Sequence, residues 1–235
     1  MLAAGALAGC SATTTGAAIG TSATAAVTPR AAQSARPART AKPKPKLKKK
    51  AQPTALPVGP PAAAALQQTR AFPSTTDTAF ENVIHDFWLA VTTGNASYAK
   101  PAFFPERAYE QVKAISDPDY DWRTRLWYEF TLDVAAVHPL IGENAKLVKV
   151  IVPTQYAVWI PPGACYNNIG YWHVPGSRVV YEQGGATRSF GITSFISWRG
   201  DWYLVHLGAL SRPAPEGIVD DPQPGPGVPG PPGGC

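Results

Sequence analysis

The chain has 235 residues, with 25 Pro, 21 Gly and a formal charge of +5. All seven Trp, all nine Tyr and seven of the eight Phe lie between Phe80 and Leu210, so only that stretch can bury a core, and its size suits one domain. Residues 11–76 hold ten bases and no acid, whereas residues 77–235 hold eleven bases against sixteen acids; the folding part is therefore mildly acidic, which argues against nucleic acid as a partner.

Three Cys are too few for a disulfide scaffold. No apolar run reaches the roughly 18 residues that a membrane-spanning helix needs. At the start, Leu7-Ala8-Gly9-Cys10 resembles the bacterial lipobox, in which small residues fit a signal-peptidase cleft and the cysteine thiol takes a diacylglycerol. The resemblance implies lipidation at Cys10, an anchor in the membrane through that lipid, and a place on the outer face of the cytoplasmic membrane. A signal peptide also needs a positive n-region before an apolar stretch of about 7–15 residues. Here nine residues precede Cys10 and none is charged, so residues 1–10 read as a partial signal whose true start is expected upstream.

Residues 11–73 are rich in Ala, Thr, Pro and Lys and read as a disordered basic linker, because they cannot bury enough apolar area to offset their ordering entropy. Alternating Lys-Pro favours an extended chain. The run Lys42, Lys44, Lys46, Lys48, Lys49, Lys50 has two readings. It is a solvated spacer, or it adheres to anionic lipid or wall polymer at about 1 kcal/mol per base near a charged surface.

A helix is expected to open at Thr78, where Thr78-Ala79-Phe80-Glu81 has capping-box spacing. Phe80, Val83, Ile84, Phe87, Trp88 and Val91 then fall on one helical face, and Gly94 stops it. A second helix is expected over 106–115. Residues 122–134 carry both periods: Leu126, Tyr128, Phe130, Leu132 and Val134 alternate, and Trp122, Leu126, Phe130 and Val134 sit four apart. Their aromatic and β-branched content favours a strand. A short helical turn over 135–141 follows.

Next comes a long strand over 146–160, bent at Pro153, and further strands over 177–182, 187–198 and 201–210. Gly184-Gly185 and Arg199-Gly200 are the turns. With Trp198 facing Asp201, simple alternation puts Thr193 opposite His206 on the more polar face, where a pocket is expected. Both faces carry large apolar groups, so neither is freely solvated. Residues 213–235 read as a disordered Pro/Gly tail, which leaves the domain at 74–212.

The fold class is α+β: N-terminal helices packed on a curled antiparallel sheet of about four to six strands. Helices on such a sheet, ending in the Trp198-Arg199-Gly200-Asp201-Trp202-Tyr203 hairpin, resemble the cone fold of the nuclear-transport-factor-2-like (ketosteroid-isomerase-like) superfamily over roughly residues 78–210. The block 167–209 is also similar to one found in exported actinobacterial proteins of unknown function. That likeness brings a location and no catalytic residue.

The sequence offers no phosphate-binding glycine loop, no nucleophile elbow and no Cys/His spacing for structural zinc, so no metal or cofactor is expected. The weak catalytic candidates are His206, Asp133 and His173. Glu129 and Asp133 would share one strand face, and a carboxylate near a histidine could do acid/base work. A hydrogen-bonded structural role suits each of the four histidines better. Aromatic residues cluster at Tyr156, Trp159, Tyr166, Tyr171 and Trp172, as core or as a stacking platform. Cys165 and Cys235 could pair outside the cell, stay free, or bridge two chains. The expected function is that of a membrane-anchored extracytoplasmic lipoprotein with a non-catalytic binding or envelope-associated domain. The alternative is a small cone-fold enzyme, isomerase- or hydrolase-like, with an Asp/His pair.

Overall fold

The computed structural model describes residues 52–59, 62–142 and 144–232. Cys10, the basic run Lys42, Lys44, Lys46, Lys48, Lys49 and Lys50, and Cys235 lie outside them. The chain divides into two units after Lys49, and every described residue belongs to the second.

Helix α1 (Thr78–Thr93) is capped by Asp77, whose carboxylate accepts from the Phe80 amide at 2.9 Å. The cap therefore sits one residue before the expected capping box. Gly94 ends the helix at φ +67°, a conformation that costs a side-chain-bearing residue energy. Val83, Phe87, Ala90 and Val91 are fully buried along one stripe. Helix α2 (Glu106–Val112) buries Tyr109 and Val112. It is shorter than expected and leaves Ile115 exposed.

The expected strand over 122–134 is helical. Asp117 caps α3 (Pro118–Asp121), a π turn follows over Trp122–Leu126, and α4 (Trp127–Ile141) continues it. Trp122, Leu126, Phe130, Val134, Val137 and Ile141 are buried, whereas Tyr128 in the alternating set is 46 % exposed. The fourfold spacing wins because it gathers the apolar groups on the side that packs against α1. The π turn adds one residue per turn, so Trp122 and Trp127, five apart, stack with planes 2° apart.

The sheet is antiparallel and six-stranded, in the order β1-β3-β4-β5, with β2 beside β3 and β6 beside β4. The expected α+β architecture of helices packed on an antiparallel sheet is met, and the sheet is open. Strands β1 (Lys146–Ile151) and β2 (Val158–Ile160) are one bent path along β3 (Tyr171–Gln183), interrupted after Pro153. The turn between β3 and β4 (Ala186–Trp198) is Gly184-Gly185, and that between β4 and β5 (Asp201–His206) is Arg199-Gly200. All four turn residues have positive φ, as tight hairpins require. The outer edge of β5 is covered: the Phe104 amide donates to Leu204 O at 2.8 Å, and the Leu204 amide to Ala102 O at 2.9 Å.

Both faces of the sheet are covered, one by helices and the other by the segments that flank the expected domain. Residues 52–73 are not a free linker. Phe72 packs edge-on against Trp172 and Trp202 at 5.1 and 5.8 Å. The Trp198 indole donates to Ala63 O at 3.0 Å, and the Gln68 amide to Ser197 O at 2.9 Å. Residues 213–232 are not a free tail either. The Gly191 amide donates to Asp220 O at 2.7 Å, β6 (Gln223–Pro224) pairs with β4, and the Gly230 amide donates to Gly176 O at 2.8 Å. Arg178, whose side chain is 3 % exposed, reaches Asp221 at 2.9 Å. The domain boundaries therefore widen on both sides of 74–212, since backbone groups that a polar, Pro-rich segment leaves unpaired are bonded by sheet and side chains.

Candidate functional site

A cavity of about 310 Å³ lies between α2, the π turn and the sheet. Helix α2 contributes Tyr109 and Val112, and the residue after it contributes Lys113. Arg125 and Leu126 come from the π turn, which re-aims side chains relative to a regular helix. The sheet contributes His173 from β3, Ser194 and Ile196 from β4, and Val205 and His206 from β5.

His206 is there because of a bulge. Phe195 pairs with Leu204 but Ser194 pairs with His206, so Val205 is an extra residue. Simple alternation placed His206 opposite Thr193 on the other face. The bulge corrects this: it brings His206 beside Ser194, on the face that carries His173 opposite Ile196. The pocket is on that face.

One wall is a stitched loop. The Lys113 amine donates to Cys165 O at 2.9 Å, the Ala114 amide to Tyr166 O at 2.7 Å, and the Asn168 amide to Val112 O at 2.7 Å. Cys165 and Tyr166 take positive φ of 53° and 55°. Cys165 is disulfide-bonded.

Beside the cavity, Asp121 accepts from Arg125 Nη2 at 2.6 Å and from the Tyr109 hydroxyl. Burial pushes the Asp121 carboxyl up, but the bonds from Arg125 and Tyr109 and the guanidinium charge outweigh it, and its pKa lies below the ordinary value. Burial, then the charge of Arg125, lowers Lys113. Burial holds His173 down to about 4. Burial, followed by the charges of Arg125, Arg212 and Lys113, holds His206 down to about 3. Both rings are neutral at ordinary pH. His173 is 6 % exposed and its Nε2 has no hydrogen-bond partner among the described residues.

The third candidate, Asp133, is elsewhere and fully engaged. Its carboxylate accepts from Arg212 at 2.8 Å, from the Gly208 amide at 2.8 Å and from the Ile218 amide at 2.9 Å. It pins the tail and the end of β5 to α4 and does not meet either cavity histidine. Glu129 and Asp133 do share a face, through helical i,i+4 spacing rather than strand alternation. The structural role expected of all histidines holds for two: His85 contacts Asp86 at 3.0 Å, and His138 contacts Val91 O at 2.9 Å. The aromatic cluster divides. Tyr171 is buried, Tyr156 and Tyr166 are 44 % and 78 % exposed, and Trp159 packs between Trp172 and the Arg70 guanidinium.

Sequence reasoning missed Tyr109, Lys113, Arg125 and Ser194 as cavity residues. No sequence signal set Lys113 and Arg125 apart from Arg107 and Arg123, the other bases of the same acidic, aromatic stretch. Among the described residues no group of three or more His, Cys, Asp or Glu could hold a metal ion, and no helix is long and apolar enough to cross a membrane. No family model, no curated protein and no solved structure matches this chain.

Proposed function

We propose that this chain is an extracytoplasmic lipoprotein: a lipid on Cys10 anchors it to the outer face of the cytoplasmic membrane, the basic segment through Lys50 is its spacer, and the domain is a non-catalytic module that binds a small molecule. The observation that carries the binding role is the cavity of about 310 Å³, apolar in most of its lining, with the unpartnered His173 Nε2 in its wall. Such concave, mostly apolar sites with a few polar groups are where proteins hold small ligands. The helix-on-sheet placement of the cavity supports kinship with the cone fold. The disulfide at Cys165 supports an oxidising compartment.

The enzyme reading loses its acid/base pair. Asp133 is consumed by Arg212 and two backbone amides, and among the described residues no carboxylate lines the cavity beside His173 or His206.

Two measurements test the proposal. Expressed in a bacterial host with its full native leader, the protein is expected to incorporate alkyne palmitate, and Cys10→Ala to abolish labelling and release the chain from the membrane; labelling that persists in Cys10→Ala removes the anchor. Native mass spectrometry of the gently purified chain is expected to show a bound small molecule or uptake of one from a metabolite extract. A chain that stays bare in both leaves the binding role without support.

A further inference from the structure

The cavity wall is chemically one-sided. Lys113 and Arg125 line it, and among the described residues no aspartate or glutamate does. Arg125 is already paired with Asp121 at 2.6 Å. Among the described residues Lys113 has no such direct counter-ion: its amine donates to the neutral Cys165 carbonyl and lies 5.9 Å from the Tyr109 ring centre, and Asp121 acts on it only through space. His173, buried with its Nε2 unpartnered, stands on β3, and His206 stands two strands away, beyond Ser194. At ~4.8 Å per strand and ~3.3 Å per residue, with Ser194 facing Pro175 and His173 two residues further along β3, their backbones are about 12 Å apart. Leu126, Ile196 and Val205 make much of the remaining wall apolar.

We propose that the cavity takes a small amphipathic organic anion, a monocarboxylate with an aliphatic or aromatic body, whose carboxylate pairs with Lys113 and whose body lies against Leu126, Ile196 and Val205. This rests on the ligand-binding reading above and narrows it. An excess cation in a low-dielectric wall is stabilised by a partner of opposite charge, and a carboxylate entering such a wall needs one. The neutral imidazoles and the Ser194 hydroxyl offer hydrogen bonds without adding a competing negative charge. The cations of the wall also act on His206, where, after burial, they oppose protonation; a field that expels a proton from an imidazole attracts an anion. The volume holds about ten water-sized groups at ~30 Å³ each, which matches an eight-carbon carboxylate.

Calorimetric titration of the full chain near neutral pH with octanoate, 1-octanol and octylamine, each below its aggregation limit, tests the assignment. Octanoate is expected to bind about tenfold more tightly than either of the others, the size of one charge-assisted contact. Lys113→Met is expected to weaken octanoate about tenfold and leave octanol nearly unchanged, whereas Lys113→Arg keeps most of the preference. Octanol or octylamine binding as well as octanoate overturns the anion assignment while leaving a ligand-binding cavity in place. Octanoate binding that is indifferent to Lys113→Met overturns it as well. No binding of any of the three overturns both this assignment and the reading beneath it. Should Lys113→Met not fold, the preference of the unaltered chain for octanoate over octanol decides alone.

Discussion

His173 and His206 are the histidines whose protonation burial opposes. Below about pH 6.5 an unfolded imidazole takes a proton that native His173, held down to about 4, refuses. The stability is therefore fully present above about 6.5 and lost as the pH falls through about 4, by on the order of 3 kcal/mol. His206 pulls in the same direction, though its ring is partly open to the cavity. His173→Phe is expected to remove much of this acid sensitivity: urea midpoints measured near pH 7 and near 4.5 should lie closer together than in the unaltered chain. Equal separation in both proteins would show that His173 is not the titrating group. At Asp133 the burden is buried charge. Its side chain and that of Arg212 are 1 % and 4 % exposed. Asp133→Ala leaves a buried guanidinium without its counter-ion, held only by the carbonyls of Ala209 and Glu216, and two amides without an acceptor; an expected loss of about 3–5 kcal/mol in urea unfolding follows. A loss under about 1 kcal/mol would mean that water replaces the carboxylate.

At the scale of elements, the segments that flank the helices and sheet behave as part of the fold. Residues 52–73 give carbonyls to Trp198, Gln111 and Asn82, and Phe72 covers two tryptophans. Removing them leaves the buried Trp198 N–H without a partner, at about 1–3 kcal/mol, besides the lost packing. Deletion of residues 52–73 is expected to lower the thermal midpoint by on the order of 10 °C relative to the full chain. An unchanged midpoint would return the segment to the role of a spacer. The helix α4 is the other lesson at this scale. Residues 122–134 satisfy the strand and the helix period at once, and local propensity favoured the strand. Packing against α1 and the ring of Phe103, which meets Trp122, Trp127 and Phe130 at 4.8–5.7 Å, decided for the helix.

For the whole molecule, the disulfide at Cys165 is a covalent cross-link in the cavity wall. A cross-link of this kind raises stability typically by about 2–4 kcal/mol. Calorimetric scans with and without reductant are expected to differ by about 5–15 °C in midpoint, and Cys165→Ser to match the reduced protein. A midpoint indifferent to reductant would make the disulfide structurally idle. The wall that Cys165 belongs to also carries the Lys113 contact, so reduction is expected to weaken anion binding along with stability.

What the sequence determined by itself is local. The hairpins at Gly184-Gly185 and Arg199-Gly200 follow from turn residues that tolerate positive φ. The buried stripe of α1 follows from spacing within a few turns, and the coverage of both sheet faces from apolar residues on both sides of β4 and β5. His206 was legible as a polar group on an apolar strand, whereas His173 lay ahead of the strand expected over 177–182 and stands on β3, which opens at Tyr171. Only the tertiary structure decided their surroundings. One extra residue at Val205 reverses the face of His206, because strand side chains alternate with a period of two. Asp133 is paired with Arg212, 79 residues away in the chain. Trp198 finds its acceptor in Ala63 across 135 residues. Contacts at such separations leave no periodic trace in a sequence, since they depend on which surfaces the finished sheet leaves uncovered.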